Sequence, residues 1–266
     1  MKDNYYEKFD FQEARNYFFN PDFDNLFIGI GPCAIENQDM ALKSANFALQ
    51  NKIQFLRTFL FKQRTSPYTF QGLGNDGSYI VEHLKSNFPS IKLICEVSSI
   101  EQYEFIRKKI DVVQIGARMM FNTELLKRLG SDNFPIILKR NFGANIFEWL
   151  NMAEYYLKYG GRLILLCERG IKTFETSIRF SFDITSVSVV KEISKIPIIA
   201  DPSHPAGKSS YVDSIACASI GAGFDGLLVE THPSPLNALS DADQQLSFDQ
   251  AEILLKKIKN IKKALS

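Results

Sequence analysis

Residues that can carry out chemistry recur along this chain, each at or close after the end of a short apolar run. In chain order they are Cys33, Arg57, Glu96, Arg118, Lys139, Glu168 with Arg169, the stretch from Asp201 to His204, and Glu230. Thiol, imidazole and carboxylate groups bind metal ions, whereas guanidinium and ammonium groups bind anions. The recurrence predicts one composite site that combines both functions.

Four of these side chains form a candidate metal site. Cys33, His204 and Glu230 follow the first, seventh and eighth runs, and Asp241 lies in the next loop. If the runs are strands of a closed barrel, the first and last are neighbours, so the four groups converge. Sulfur, imidazole and carboxylate ligands together suit Mn²⁺, Fe²⁺, Co²⁺ or Zn²⁺ better than Mg²⁺. Taken singly, each residue is weak evidence, because an isolated His or Cys is structural more often than it is a ligand.

A second set is cationic and consists of Arg57, Lys62, Arg64, Arg118, Lys139 and Arg169. A cation directly after a buried strand must be paired, solvated or used on a ligand, because burying it unpaired is expensive. The set predicts a site for a doubly anionic or two-phosphate ligand, with arginines gripping it bidentately. The alternative is a ring of salt bridges to Glu96, Glu168, Asp201 and Glu230. Lys139 also admits a Schiff-base role, although Arg140 beside it favours a charged, phosphate-holding lysine.

The apolar runs that must position these residues predict strands. They cover residues 26–30, 53–56, 91–97, 111–115, 135–138, 162–167, 196–200 and 225–230. The runs are continuous rather than alternating, which is typical of parallel strands covered on both faces. Segments with helical period separate them, at 38–51, 76–87, 100–109, 122–129, 146–159, 183–194, 208–222 and 247–264. We therefore predict an α/β fold, a single (β/α)₈ TIM barrel with its site at the carboxyl ends of the strands.

Length and charge limit the remaining possibilities. The 266 residues suit one barrel over residues 25–266, with residues 1–24 as an N-terminal cap or an oligomer contact. A net charge of +1 gives no field that would attract nucleic acid or an anionic membrane. The acidic, aromatic N-terminus is unlike a signal peptide, and no apolar run is long enough to span a membrane. We expect a cytoplasmic protein whose Cys33, Cys95, Cys167 and Cys217 are free thiols.

Seven ordered motifs carry a resemblance to a known family. They are GPCAIE at 31–36, KQRTSPYTFQGLG at 62–74, QIGARMMFN at 114–122, LKR at 138–140, LCERGIKTFET at 166–176, DPSHPAGK at 201–208 and VETHPSPLNALSDADQQL at 229–246. The chain resembles the 3-deoxy-D-arabino-heptulosonate 7-phosphate (DAHP) synthases of the short type I-beta branch. The resemblance implies a metal-dependent condensation of phosphoenolpyruvate with erythrose 4-phosphate, the first step of the shikimate pathway to aromatic amino acids.

The resemblance also implies a role for each matching residue. The metal ligands would be Cys33, His204, Glu230 and Asp241. Phosphoenolpyruvate would be held by Arg57, Arg118, Lys139 and Arg169. Arg64 and Thr65 would meet the phosphate of erythrose 4-phosphate. Lys62 and Glu96 would move protons near the reacting carbons, and His204 would act with the metal.

Four residues at three places depart from the family pattern and bear on the choice of aldose. Gln63 replaces a proline, Thr58 and Phe59 replace two glycines and would shift the loop, and Met119 replaces an asparagine beside Arg118. One alternative is 3-deoxy-D-manno-octulosonate 8-phosphate synthase, which takes arabinose 5-phosphate. Another is an inactive barrel that serves as a scaffold. The resemblance further implies a homodimer or homotetramer without a regulatory domain, for which a separate partner such as chorismate mutase could supply regulation.

Overall fold

Eight parallel strands form a closed barrel in the computed structural model, which describes residues 5–63 and 66–265. The strands are β1 (Phe27–Gly31), β2 (Phe55–Arg57), β3 (Lys92–Glu96), β4 (Val112–Ile115), β5 (Ile136–Lys139), β6 (Ile164–Glu168), β7 (Ile198–Ala200) and β8 (Gly226–Glu230). Strand β1 pairs with β8 from Phe27 opposite Gly226 to Gly31 opposite Glu230, which closes the barrel. The predicted (β/α)₈ fold is confirmed.

Helices alternate with the strands and cover the barrel. They are α1 (Gln12–Phe18), α2 (Gln38–Gln50), α3 (Ser78–Asn87), α4 (Ile100–Ile106), α5 (Thr123–Ser131), α6 (Ile146–Lys158), α7 (Ser186–Ile193), α8 (Ser203–Ala206), α9 (Ser209–Gly221) and α10 (Phe248–Ala264). All eight predicted helices are present, with ends shifted by a few residues. The pattern missed α1 and α8, because a helix of one or two turns is too short to show a period.

Side-chain caps explain where several helices begin. Asn37, Ser99 and Asn122 each accept a hydrogen bond from a backbone N–H in the first turn of the helix that follows. Asn145 and Ser247 go further, because each forms a reciprocal capping box with the residue three positions on. Such caps satisfy amide groups that the helix itself leaves unpaired. They fix the start of each helix and therefore the length of the loop that precedes it.

The segment before β1 packs against the amino-terminal end of the barrel. The ring of Phe18 lies 6.1 Å from that of Phe27 and 5.8 Å from that of Phe55, measured between centroids. The Lys92 ammonium donates to the Tyr17 carbonyl at 2.7 Å. Phe27, Phe55 and Lys92 are the first residues of β1, β2 and β3, so these contacts lie at the end opposite the strand carboxyl termini. They support the proposal that the described part of the N-terminal segment, residues 5–24, caps the closed end of the barrel; residues 1–4 of the predicted cap lie outside the described residues.

Two further features of the described chain bear on the predictions. Cys33, Cys95, Cys167 and Cys217 are free thiols, and the first three are buried. Across residues 5–63 and 66–265, none of the helices combines the length and the apolar character that a membrane crossing requires.

Candidate active site

A cleft of about 160 Å³ opens at the carboxyl ends of the strands. Seven of the predicted site residues line it, namely Lys62, Glu96, Arg118, Lys139, Arg169, His204 and Asp241. Cys33, Arg57 and Glu230 are buried behind this lining and contact it through Asp241 and His204. The structure therefore brings together all the predicted site residues that it describes. Arg64 and Thr65 lie outside the described residues.

The predicted metal ligands converge. Ligand atoms of Cys33, Glu230 and Asp241 all lie within 4.8 Å of one another, and Cys33 Sγ is 3.1 Å from Asp241 Oδ2. His204 adds its Nε2 at 3.8 Å from Glu230 Oε1. Donor atoms bound to one ion at about 2.2 Å must lie roughly 3 to 4.5 Å apart. Cys33, Glu230 and Asp241 are therefore close to the spacing that one divalent ion requires, whereas His204 approaches this group at Glu230 and lies outside the mutual 4.8 Å set.

Burial sets the protonation of this group. Burial, and after it the charge of Glu230, raises the pKa of the Cys33 thiol to about 12. Burial likewise lowers the pKa of His204 to about 4, against the opposing effect of Asp201. Burial works against ionisation of Asp241 too, but Lys62 and Arg179 outweigh it and hold the pKa of that carboxyl below its usual range. At neutral pH the site offers an imidazole and carboxylates ready to bind, and a thiol whose proton a metal must displace.

Asp241 is held in place by the loop that carries it. Its backbone is left-handed, with φ 47°, a conformation that aspartate tolerates better than most residues. Gln245 accepts a hydrogen bond from the Cys33 N–H at 3.0 Å and donates to the Ser240 carbonyl at 2.9 Å. A single buried glutamine thus ties the end of β1 to the residue just before Asp241.

Asp201 joins the metal group to the anion-binding group. Its fully buried carboxylate lies 2.7 Å from His204 Nδ1 and accepts a hydrogen bond from Lys139 Nζ at 2.5 Å. The backbone N–H groups of Ser203 and His204 donate to its other oxygen at 3.1 Å. A carboxylate on the far nitrogen of a histidine fixes the tautomer and directs the free nitrogen to a metal. Asp201 therefore holds Lys139 by a hydrogen bond and lies in close electrostatic contact with His204, although the His204 contact lacks the angle of a hydrogen bond in the described chain.

Arg57 is a buried cation with one hydrogen-bond donor group left unused. Its NH2 group donates to Glu230 Oε1 at 2.7 Å and its Nε to the Pro32 carbonyl at 3.2 Å, while NH1 is buried without a partner in the described chain. Thr58 and Phe59, which stand where the family pattern has two glycines, both pack beside Arg57. Thr58 donates to a carbonyl of β3 and Phe59 lies under the Arg57 guanidinium, 4.4 Å from it. Both side chains are buried in the barrel wall, and the Phe59 ring supports the Arg57 guanidinium.

The salt-bridge alternative accounts for only part of the cations. Lys139 pairs with Asp201, Arg57 with Glu230 and Arg140 with Glu168. Arg118 and Arg169 have no carboxylate partner within residues 5–63 and 66–265. Arg169 is 5% exposed, stacks 4.0 Å from the Phe180 ring, and has a pKa that burial lowers to about 10. It stays charged at neutral pH, so the cleft keeps positive charge that an anion would neutralise.

Glu96 and Lys62 both line the cleft and are the two candidates for proton movement. Glu96 accepts a hydrogen bond from Gln114 and lies so close to Gly116 that a Cβ there would be 2.7 Å from Glu96 Oε1. Lys62 Nζ is 3.4 Å from Asp241 Oδ2. Burial opposes the charge on Lys62, but the surrounding negative groups, first Cys33 and then Glu230, raise its pKa. The Cys33 thiol is protonated at neutral pH, so the carboxylates sustain this effect there and Lys62 is a charged proton donor.

Sequence reasoning missed one cation of the cleft. Arg179 lines it, and its NH1 donates to Gln244 Oε1 at 2.5 Å. Arg179 follows no apolar run and lies in the long loop between β6 and α7, so the strand-end pattern gave no signal for it. Gln63, the residue that departs from the family pattern, also lines the cleft.

Comparisons with known proteins agree on one family. Residues 19–266 match the model of the DAHP synthetase I family. Phospho-2-dehydro-3-deoxyheptonate aldolase of Thermotoga maritima is 38% identical over 235 residues, which span 88% of this chain and 69% of that protein. A 2-dehydro-3-deoxyphosphooctonate aldolase of Geobacter sulfurreducens is 28% identical over 254 residues, spanning 89% and 92% of the two chains.

Solved structures give the same result. A crystal structure of the Thermotoga maritima DAHP synthase has a TM-score of 0.85 at 36% identity, covering 90% of this chain and 69% of that one. A truncated form of the synthase from the same organism has a TM-score of 0.82 at 34% identity, covering 90% and 87% of the two chains.

Proposed function

Because this chain belongs to the DAHP synthetase I family, we propose that its cleft condenses phosphoenolpyruvate with erythrose 4-phosphate to give DAHP and phosphate. This reaction opens the shikimate pathway. Identity to the heptonate aldolase, at 38%, exceeds identity to the octonate aldolase, at 28%, which favours erythrose 4-phosphate over arabinose 5-phosphate as the acceptor. The octulosonate 8-phosphate synthase alternative is therefore not favoured.

One observation carries the proposal beyond family membership. The metal donors Cys33, Glu230 and Asp241 lie in the same site as Arg118 and Arg169, which have no carboxylate partner in the described chain. A reaction between two phosphate-bearing substrates needs both features, because their mutual repulsion must be offset while an aldehyde is activated. An inactive scaffold would have no use for either.

Cys33, His204, Glu230 and Asp241 would hold one divalent ion, which we propose to be Mn²⁺, Fe²⁺, Co²⁺ or Zn²⁺. The thiol and imidazole among the donors favour these borderline ions over Mg²⁺. When bound, the ion supplies Lewis acidity that makes the aldehyde carbon a better electrophile. The Asp201 carboxylate, 2.7 Å from the other ring nitrogen of His204, would accept the proton of that nitrogen and leave Nε2 for the ion.

The cations orient phosphoenolpyruvate. We propose that Arg57, Arg118, Lys139 and Arg169 bind its carboxylate and phosphate, and that the unpartnered NH1 of Arg57 supplies one of these hydrogen bonds. Asp201 holds Lys139 in place while leaving its remaining donors to the ligand. Positioned cations need no reorganisation as charge develops, so they lower the barrier as well as the dissociation constant.

Lys62 acts as the proton donor and Glu96 as the proton acceptor in this proposal. As the enol carbon bonds to the aldehyde carbon, the aldehyde oxygen becomes an alkoxide that the Lys62 ammonium protonates. Glu96 directs water to the former enol carbon and takes up one of its protons. The phosphate then leaves with its bridging oxygen and takes the remaining O–H proton, and the added oxygen becomes the ketone of the product. Gly116 leaves room for the Glu96 carboxylate to reach that carbon.

The loop that begins at Lys62 would hold the acceptor. We propose that Arg64 and Thr65 bind the phosphate of erythrose 4-phosphate and that Gln63, beside them, tunes the choice of aldose. Two extensions follow from family membership: assembly as a homodimer or homotetramer, and regulation by a separate partner such as chorismate mutase. Size measurement in solution and mixing with that partner test them.

Phosphate release from phosphoenolpyruvate tests the function directly. Chelator-treated protein is assayed with and without Mn²⁺, in the presence of erythrose 4-phosphate or arabinose 5-phosphate. Metal-dependent turnover that strongly favours erythrose 4-phosphate is the expected result. Preference for arabinose 5-phosphate would transfer the chain to the octulosonate reaction, and no turnover with either sugar across several metals would refute both.

A further inference from the structure

We propose that Arg179 is an additional substrate-contacting residue that binds the acceptor, a phosphorylated aldose, and that Gln244 holds it in position. The inference rests on the proposed function, because it concerns the second substrate of that reaction. Neither residue belongs to the anion-binding set that the strand-end pattern indicated.

The position of Arg179 is fixed by its own backbone. Ile171 and Ser181 exchange two backbone hydrogen bonds, at 2.9 and 3.0 Å, which fold the loop after β6 back on itself. Arg179 lies two residues before Ser181, and its Cβ packs against Gly207, where an added Cβ would be 2.9 Å away. The side chain therefore projects into the cleft from an anchored segment.

Gln244 links Arg179 to the metal group. Its side chain is 2% exposed, accepts from Arg179 NH1 at 2.5 Å and donates to Glu230 Oε2 at 2.5 Å. An amide that uses its oxygen on one charged group and its nitrogen on another is fixed in orientation. The position of Arg179 is thus tied to that of Glu230.

The positive charge of Arg179 is only partly neutralised by the carboxylates near it, so the guanidinium can bind an anionic ligand. Its nearest carboxylate in the described chain is that of Asp241, with NH1 3.7 Å from Oδ1, beyond hydrogen-bonding distance. Asp241 is a predicted metal ligand, so a bound ion would take up much of its negative charge. Arg179 also repels Arg169, whose pKa it helps to lower after the larger effect of burial. An anion bound in the cleft beside Arg179 would replace the charge that Asp241 gives to the ion and would offset the repulsion between Arg179 and Arg169.

One observation favours the acceptor over phosphoenolpyruvate. Exposure does not separate the two substrates, because Arg179, with a side chain that is 37% exposed, stands at the rim and so does Arg118. Arg179 and Lys62, however, approach opposite oxygens of the Asp241 carboxylate, at 3.7 and 3.4 Å. Lys62 begins the loop proposed to hold the aldose, which places Arg179 on the acceptor side of the cleft.

Steady-state kinetics with each substrate varied in turn test the inference. In Arg179→Gln we expect the KM for erythrose 4-phosphate to rise about 10- to 100-fold, the usual effect of losing a hydrogen bond from a charged group. The KM for phosphoenolpyruvate and the affinity for Mn²⁺, measured by calorimetry, should change less than about threefold. Arg179→Lys should restore part of the loss. Lys208→Gln, which removes a nearby cation outside the cleft lining, is the matched control and should behave as the unaltered enzyme.

Gln244→Met tests the positioning role with a readout besides activity. It should raise the KM for erythrose 4-phosphate and also weaken Mn²⁺ binding, because it frees both Arg179 and Glu230. Combined with Arg179→Gln, its effect on the KM should be much less than additive. An unchanged acceptor KM in Arg179→Gln, or a rise confined to the KM for phosphoenolpyruvate, overturns the inference. Turnover by the unaltered enzyme, measured alongside, shows separately whether the proposed function stands.

Discussion

The Asp201→Asn substitution tests whether one buried carboxylate supports both halves of the site. Asparagine keeps the shape of the side chain but removes the charge that faces Lys139 and His204. Breaking a buried ion pair at one partner costs about 3 to 5 kcal/mol, because the other charge stays buried. The amide oxygen can still accept one hydrogen bond, so we expect about 3 kcal/mol. For a chain of this size that corresponds to a melting temperature lowered by about 6 to 12 °C.

Metal affinity provides the second readout of the same substitution. His204 loses the carboxylate that orients it, and loss of such a partner typically weakens metal binding about 10- to 100-fold. Urea denaturation and Mn²⁺ calorimetry measure the two effects. Asp213→Asn is the matched control, because Asp213 forms a 2.8 Å ion pair with Lys257 on the surface, where the loss costs about 0 to 1 kcal/mol. If Asp201→Asn were no less stable than Asp213→Asn and bound Mn²⁺ normally, the linking role of Asp201 would be wrong.

Three further predictions concern protons and space in the cleft. Since the pKa of Cys33 is about 12, Mn²⁺ binding should release about one proton, and the Mn²⁺ affinity should rise about tenfold per pH unit near neutrality. Calorimetry in buffers of different ionisation enthalpy measures both the proton release and the affinity. A Mn²⁺ affinity that does not change with pH contradicts the prediction. In metal-free protein the pKa of His204 is about 4 when folded and about 6.5 when unfolded, so the unfolded state binds more protons between these values. The free energy of unfolding should therefore fall by up to about 3 kcal/mol as the pH drops from about 6.5 to about 4. In urea titrations, the free energy of unfolding of His204→Gln should depend less steeply on pH. An identical pH dependence in the two proteins refutes the assignment of this effect to His204. Gly116→Ala would place a methyl group 2.7 Å from Glu96 Oε1 and should lower kcat about 10- to 100-fold. Gly221→Ala, which has open space around the added methyl group, is the control and should leave kcat unchanged. Equal kcat values in the two variants would show that Glu96 takes no part in the reaction.

The fold could be predicted from the sequence because the strands of a closed parallel barrel are buried on both faces. Each therefore reads as a continuous apolar run, and its carboxyl end is marked by the first polar residue after it. Arg57, Glu96 and Glu230 were recognised in this way. The short strand β7 was found even though Pro197 precedes it, because the run from Ile196 remains apolar to its end.

The site was predicted only where a residue is attached to a strand end or a motif. Asp201 was seen as a possible salt-bridge partner, but its contact with both Lys139 and His204 depends on how β5 and β7 are placed around the barrel. Arg179 and Gln244 lie in loops, where residue type carries no positional signal. Their meeting depends on the folding of two loops onto each other, which periodicity cannot encode.

The contacts of helix α1 affect how the boundary of the enzyme should be drawn. The match to the family model begins at residue 19, one residue after Phe18, yet Phe18 is fully buried between Phe27 and Phe55. Burial of such a ring contributes about 1.5 to 3 kcal/mol, and Lys92 would also lose the Tyr17 carbonyl. A chain shortened to the family match would keep the whole cleft but lose the plug at its closed end. Its loss of activity could then be mistaken for a defect in catalysis.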